Sequence, residues 1–182
     1  MNALRKLPGE AQPVLDIGPL RRRHLKALMP IEEAVYPRPW SIGIFHAEID
    51  LVRTDQRYYI VGKIGDGVVG YAGLLFTPDD AHVTNIAVSP DWQRRGIATD
   101  LLLELAWKAR ERGCDALTLE VRVSNTAAQE LYRHFGFVPA GVRKKYYENV
   151  EDAIVMWCHD VSAPAYGERL RAIELERRHG DQ

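Results

Sequence analysis

At residues 93–98 the chain reads Gln93-Arg94-Arg95-Gly96-Ile97-Ala98, a short basic turn with one glycine. Residues 83–88 before the turn have the composition of a strand, and the apolar run at 101–109 after it has that of a helix. Such a strand, turn and helix start form an anion site, because the first N–H groups of a helix lack intrahelical acceptors and its dipole favours negative charge. Gly96 lets the main chain approach the anion because it has no Cβ. The segment therefore indicates a phosphate-bearing ligand.

The same turn also has a plain structural interpretation. Many strand–helix connections contain Gly and Arg only as a turn and a solvated helix start. The segment matches neither the Walker P-loop nor the dinucleotide-binding glycine pattern. Spacing alone leaves phosphate binding and an ordinary turn equally open.

Composition limits the class of protein. The 182 residues suffice for one domain with a substantial core, and a net charge of −1 gives no electrostatic reason to expect nucleic-acid binding. We see no signal peptide and no run of membrane-spanning length, so we expect a cytoplasmic protein. Cys114 and Cys158 are too few for a disulfide framework or a thiolate metal site. We therefore expect no metal and no membrane partner.

The order of elements predicts an α/β (α+β) domain with a mixed sheet and helices on both faces. We expect a mobile leader at 1–13, the domain at 14–160 and a charged helical extension at 161–182 that lies on the surface rather than in the core. The predicted strands are 14–20, 58–63, 68–76, 82–88, 117–123, 137–147 and 153–159, and the predicted helices are 21–35, 42–51, 95–112 and 125–135.

Glu120 lies in an alternating strand, Thr118-Leu119-Glu120-Val121-Arg122-Val123, which places Glu120 and Arg122 on its polar face. One interpretation is a structural ion pair between these two residues. The other is a carboxylate that lines a cleft and acts as a general base. The strand pattern by itself favours the ion pair.

Tyr132 and Asn125 belong to the helix that follows. Tyr132 shares a helical face with Leu131 and Phe135 at core spacing. Its ring is therefore either packed in the core, or its hydroxyl reaches an active site and donates a proton there. Asn125 is expected to cap the N-terminus of this helix. Its amide is also able to bind the amide groups of an extended ligand.

Taken together, these segments resemble the GNAT superfamily of N-acetyltransferases over residues 15–157. The turn at 93–98 is similar to the signature that holds the pyrophosphate of acetyl-CoA. The resemblance is strongest to the RimI branch, the ribosomal-protein-alanine N-acetyltransferases. It rests on the following segments: Tyr36-Pro37-Arg38-Pro39-Trp40-Ser41, Leu119-Glu120-Val121-Arg122-Val123-Ser124-Asn125, Leu131-Tyr132 with Phe135-Gly136-Phe137, Arg143-Lys144-Lys145-Tyr146-Tyr147 and Glu151-Asp152-Ala153-Ile154-Val155-Met156.

The resemblance implies a mostly antiparallel sheet of about seven strands, with one strand pair that splays apart. It implies that Glu120 is the catalytic base and Tyr132 the acid. It also implies the residues that bind acetyl-CoA: Ile86, Ala87 and Val88 along the pantetheine arm, Arg94, Arg95, Gly96, Ile97, Ala98 and Thr99 around the pyrophosphate, and Asn125 at the pantetheine.

The implied activity is direct transfer of an acetyl group from acetyl-CoA to a protein N-terminal α-amine, the N-terminal alanine of a small-subunit ribosomal protein. Two alternatives remain at this point. One is a related enzyme that acetylates other protein N-termini or a small-molecule amine. The other is a non-catalytic module that binds acyl-CoA, although the presence of both Glu120 and Tyr132 argues against it.

Overall fold

A computed structural model describes residues 14–180; the leader expected at 1–13 lies outside this range. Its seven strands form one sheet in the order β1-β2-β3-β4-β5-β7-β6. Every neighbouring pair is antiparallel except β4 and β5, so the mostly antiparallel sheet of seven strands is confirmed. The elements are β1 (Leu15–Pro19), α1 (Leu25–Val35), α2 (Ile42–Leu51), β2 (Arg57–Ile64), β3 (Gly67–Phe76), β4 (Asp80–Val88), α3 (Ile97–Glu111), β5 (Ala116–Arg122), α4 (Thr126–His134), β6 (Val138–Tyr147), β7 (Glu151–His159) and α5 (Pro164–Gly180).

Helices cover both faces of the sheet, as expected. On one face α1 and α2 pack with Tyr59, Val61 and Tyr71 around the buried ring of Phe45. On the other face α3, α4 and α5 form the larger core with alternate residues of the same strands. Because strand side chains alternate between faces, β2, β3 and β4 contribute to both cores. Within the described chain no helix is both long and apolar enough to cross a bilayer.

The sheet opens between its two parallel strands. β4 pairs with β5 only from Asp80 to His82, where His82 lies opposite Thr118. Beyond this point β4 continues to Val88 along β3, and β5 continues to Arg122 along β7. A bulge at Thr84 accompanies the separation, since Gly73 pairs with Asn85 while Leu74 pairs with Val83. The splayed strand pair is thus confirmed, and it leaves one edge of β4 without a strand partner.

The C-terminal segment forms the expected helix, but the expectation that it lies outside the core is wrong. Tyr166, Leu170 and Ile173 are buried in the larger core on the α3 face. Their i, i+4, i+7 spacing makes one apolar stripe, which the charged residues between them conceal in the sequence. Leu175 of the same helix is exposed. The extension is therefore part of the folded domain.

Candidate active site

The turn at 93–96 leads into α3 in the geometry expected of an anion cradle. Gly96 is the N-cap of α3 and has a φ of 78°, a left-handed conformation that favours glycine. The first helical hydrogen bond runs from the N–H of Asp100 to the carbonyl of Gly96, at 3.0 Å. The N–H groups of Ile97, Ala98 and Thr99 therefore precede any intrahelical acceptor and point out of the helix. Together with the dipole of a 15-residue helix, they favour a bound anion.

The two arginines of the turn are exposed, and only one of them has a ring contact in the structure. The guanidinium of Arg95 lies over the ring of Trp92, 4.8 Å from its centroid. Arg94 adopts a positive φ of 62°, unusual for a residue with a side chain. The side-chain amide of Gln93 donates to the carbonyl of Val88 at 3.1 Å, which ties the turn to the end of β4. The cradle and the open edge of β4 are therefore one continuous surface.

Ile86, Ala87 and Val88 lie on β4 beyond its last pair with β5. Their main-chain groups on this side face the gap and can pair with an extended ligand as with another strand. The carbonyl of Ile86 already accepts a hydrogen bond from the hydroxyl of Tyr36, at 3.0 Å. The segment that joins α1 and α2 thus closes over this part of the gap.

Glu120 lies on β5, and its carboxylate is held by an imidazole and a guanidinium. Nε2 of His82 is 3.1 Å from Oε2, and Nη1 of Arg143 is 3.1 Å from Oε1. The Glu120 side chain is only 9% exposed. The hydrogen bond from His82 lowers the pKa of Glu120, with burial opposing it and the charges of His82 and Arg143 adding to it. The group is therefore an ionised carboxylate at neutral pH.

The ion pair between Glu120 and Arg122 considered in the sequence is not formed. Arg122 instead pairs with Glu148 at 2.8 Å and with Glu151 at 2.9 Å. Glu151 also accepts from the N–H and hydroxyl of Ser124, so this cluster joins the β6–β7 hairpin to the end of β5. Alternation along the strand predicts that Glu120 and Arg122 share a face. The ion-pair partners of Arg122, however, come from the distant β6–β7 hairpin.

Tyr132 is buried in the larger core, where its ring lies 5.8 Å from that of Phe137. Burial and then the nearby Tyr147 raise the pKa of Tyr132 above its ordinary value, so the phenol stays protonated at neutral pH. Tyr132 in turn contributes, after burial, to the raised pKa of Tyr36. The three phenols therefore lie near one another.

Tyr147 connects the phenols to Glu120. Its hydroxyl donates to the main-chain carbonyl of Glu120 at 3.1 Å, while Tyr36 bonds to β4 across the gap. Tyr132 packs on the α3 face of the sheet with Leu119 and Val121, whereas the side chain of Glu120 points to the opposite face. The side chains of Tyr132 and Glu120 therefore lie on opposite faces of the sheet.

A buried carboxylate positions the segment between α1 and α2. Glu32 is 1% exposed, accepts from the N–H of Trp40 at 2.7 Å and also accepts from the hydroxyl of Tyr71. Burial raises the pKa of Glu32, against the effect of both hydrogen bonds. These contacts hold the segment from Tyr36 to Trp40 against the sheet, beside the gap.

Asn125 caps α4, as predicted. Its side-chain oxygen accepts from the N–H of Ala128 at 3.1 Å. In the described part of the chain no group of three or more His, Cys, Asp or Glu residues is arranged to hold a metal ion.

Sequence reasoning missed several neighbours of the site. His82 had a signal: it faces the same side as Glu120 if β4 and β5 pair in parallel. Arg143 and Tyr147 lie in a segment that carried the family resemblance but was assigned no role. Arg177 contacts the cradle from α5 and had no local signal, because only the packing of α5 along α3 brings it there.

Comparisons with known proteins agree with this geometry. The family model described as the acetyltransferase (GNAT) family matches residues 25–137. A [ribosomal protein bS18]-alanine N-acetyltransferase of Escherichia coli strain K12 is 36% identical over 144 residues, which cover 77% of this chain and 94% of the relative. The N-alpha-acetyltransferase RimI of Mycobacterium tuberculosis is 33% identical over 147 residues, with coverages of 78% and 89%.

Among solved structures, the crystal structure of the ribosomal-protein-S18-alanine N-acetyltransferase from Escherichia coli is similar to this chain. Its TM-score is 0.73 at 33% sequence identity, and the match covers 81% of this chain and 94% of that one. The similarity therefore extends over most of the sheet and the helices that cover it.

Proposed function

The chain belongs to the acetyltransferase (GNAT) family, and on that premise we propose that it transfers the acetyl group of acetyl-CoA to the N-terminal alanine of a ribosomal protein, bS18 or its counterpart. Relatives more than 30% identical over three quarters of the chain carry that activity in their names. The observation that supports it most directly is the convergence of Glu120, Tyr147 and the open edge of β4 at the gap between β4 and β5. A ribosomal substrate would place the reaction in the cytoplasm.

The residues around the gap suit acetyl-CoA. Free N–H groups of Ile97, Ala98 and Thr99 would hold the diphosphate, with Arg94, Arg95 and Gly96 forming the turn around it. The open edge at Ile86, Ala87 and Val88 would pair with the amides of the pantetheine arm. Asn125 would contact the same arm from the start of α4.

Glu120 would accept a proton from the incoming amine. The amine must lose a proton before its nitrogen attacks the thioester carbonyl, and an ionised carboxylate can accept that proton directly or through a water molecule. At pH 7 roughly a tenth of an α-amine is neutral, given a reference pKa of about 7.7–8.0, whereas a lysine near 10.4 is neutral at well under a thousandth. Since the pKa of Glu120 is lowered, the group is a weak base. It therefore suits an α-amine better than a lysine.

Tyr132 would stabilise the leaving thiolate of CoA. As the carbon–sulfur bond breaks, negative charge develops on sulfur, and a protonated phenol can stabilise it by a hydrogen bond or by giving up its proton. The raised pKa keeps Tyr132 in the protonated form over the whole neutral range. The acetyl group passes directly to the amine, with no acyl-enzyme.

The decisive experiment measures CoA release with three acceptors, two of them peptides. One carries the N-terminal sequence of bS18 with a free alanine, the second is the same peptide with a blocked N-terminus and a free lysine, and the third is a polyamine control. We expect turnover with the first only, and an increase of 42 Da at its α-nitrogen. Turnover with the polyamine alone would identify a small-molecule enzyme, and CoA binding without turnover would identify a binding module.

The matched variants are Glu120→Gln and Glu130→Gln. Glu130 is an exposed residue of α4. Removing the base should lower kcat by about 10²- to 10⁴-fold, while the exposed substitution should leave it unchanged. A Glu120→Gln enzyme with wild-type kcat would rule out this carboxylate as the base.

A further inference from the structure

We propose that Arg177, in the last turn of α5, is part of the coenzyme site and binds the diphosphate together with the N-terminus of α3. This inference rests on the proposed use of acetyl-CoA. It assigns a coenzyme contact to the C-terminal extension, which lies beyond the residues matched by the family model.

The path of α5 brings Arg177 to the cradle. Glu174 accepts from the indole N–H of Trp107 at 2.5 Å, and Arg177 pairs with Asp100 one turn further on, so α5 runs antiparallel along α3. Buried Leu170 and Ile173 fix this packing from the core side. The C-terminal end of α5 therefore lies beside the N-terminal end of α3.

The guanidinium of Arg177 is oriented rather than loosely placed. Nε and Nη2 each donate to a carboxylate oxygen of Asp100 at 2.9 Å, a two-pronged arrangement that fixes the plane of the group. Nη2 also lies 3.4 Å from the carbonyl of Arg95. A methyl group built on Gly96 would overlap this guanidinium. The guanidinium of Arg177 thus packs directly against the turn that precedes α3.

The charges explain why an arginine is needed at this place. Asp100 stands in the first turn of α3, where its negative charge opposes binding of a diphosphate. The C-terminal end of α5 adds the negative end of a helix dipole at the same place. Arg177 pairs with the carboxylate of Asp100 and offsets its negative charge. Arg177 thus reduces the repulsion that Asp100 alone would exert on a diphosphate.

The test is calorimetric titration of the full chain with CoA, for the wild type and for Arg177→Gln, Arg177→Lys and Arg178→Gln. Arg178 is the adjacent exposed arginine and serves as the matched control. We expect about tenfold weaker binding for Arg177→Gln, a smaller loss for Arg177→Lys, and less than about twofold change for Arg178→Gln. Binding should also depend less steeply on salt in Arg177→Gln than in the wild type.

Dephospho-CoA identifies the phosphate concerned, because it keeps the diphosphate and lacks the 3′-phosphate. The same loss with both ligands supports the proposal, and a loss confined to CoA overturns it. Equal affinity in Arg177→Gln, or a loss without change in salt dependence, would mean that Arg177 only holds α5. Tighter binding would mean that it obstructs the cradle. If the wild type itself does not bind CoA, the proposed function fails instead; if it binds CoA but acetylates no acceptor, the proposed activity is wrong while the assignment of Arg177 is still tested by the binding data.

Discussion

Nε2 of His82 lies 3.1 Å from Oε2 of Glu120, and Nδ1 of the same ring lies 2.8 Å from the hydroxyl oxygen of Thr118. A neutral imidazole satisfies both contacts when Nε2 carries the proton and Nδ1 accepts from the hydroxyl. His82 is the last residue of β4 that pairs with β5. His82 therefore orients the Glu120 carboxylate at the point where β4 and β5 separate.

Replacing His82 should change how Glu120 titrates. In His82→Ala the hydrogen bond that most lowers the pKa of Glu120 is lost while burial remains, so that pKa should rise. We expect the acid limb of kcat to move to higher pH. Carbon-13 NMR titration of the Glu120 carboxyl measures the shift directly. His46→Ala on α2 is the control, and an unchanged Glu120 titration in His82→Ala would contradict this account.

Removing the hydroxyl of Tyr132 should affect turnover far more than coenzyme binding. The ring of Tyr132→Phe still fills the core beside Phe137, so the fold is kept while the donor to the leaving sulfur is lost. We expect kcat to fall by about 10²-fold or more with the Kd for CoA within about twofold. Tyr58→Phe, which loses a hydroxyl contact with Glu104 on α3, is the matched control. Full activity in Tyr132→Phe would remove this phenol from the mechanism.

Substitutions at two glycines with similar φ angles distinguish the cost of backbone strain from an effect on CoA binding. Gly96 and Gly113 have φ of 78° and 72°, but only at Gly96 would an added methyl meet a neighbour, the end of Arg177. Alanine at either position should lower the free energy of unfolding by about 1–2 kcal/mol. Only Gly96→Ala should also weaken CoA binding, because Arg177 must move, and Gly96→Glu should abolish it. Denaturant unfolding and calorimetry test this pair; equal CoA affinities in the two alanine variants would contradict it.

The cluster around Glu151 should make stability depend on pH in the acid range. Hydrogen bonds from Ser124 and then Arg122 lower the pKa of Glu151 from 4.5 to about 2. Between these values the unfolded chain binds a proton that the folded chain does not, so this contribution is complete above pH 4.5 and is lost as the pH falls through about 2. Glu151→Gln should lower Tm at pH 7.

The difference in Tm between Glu151→Gln and the wild type should shrink as the pH approaches 2, whereas Glu130→Gln should follow the wild type throughout. A difference that stays constant down to pH 2 would mean that Glu151 remains ionised by other means or contributes nothing through its charge.

Much of the fold was readable from local patterns. Strand alternation, helical spacing and the cap at Asn125 predicted seven strands and the first four helices, because each of these signals acts within a few residues. The glycine at position 96 indicated the cradle for the same reason. Family resemblance then named Glu120 and Tyr132, whose roles the patterns alone left open.

Contacts between distant segments were decided by packing. The partners of Glu120 are His82 and Arg143 rather than its neighbour Arg122, because the strand order β4-β5-β7-β6 places His82 on one side of β5 and Arg143 on the other. The apolar stripe of α5 is too weak in sequence to indicate a core helix, yet the open side of α3 gives it a surface to cover. Local chemistry thus specified the elements and the cradle, and the tertiary fold alone determined which charges meet there.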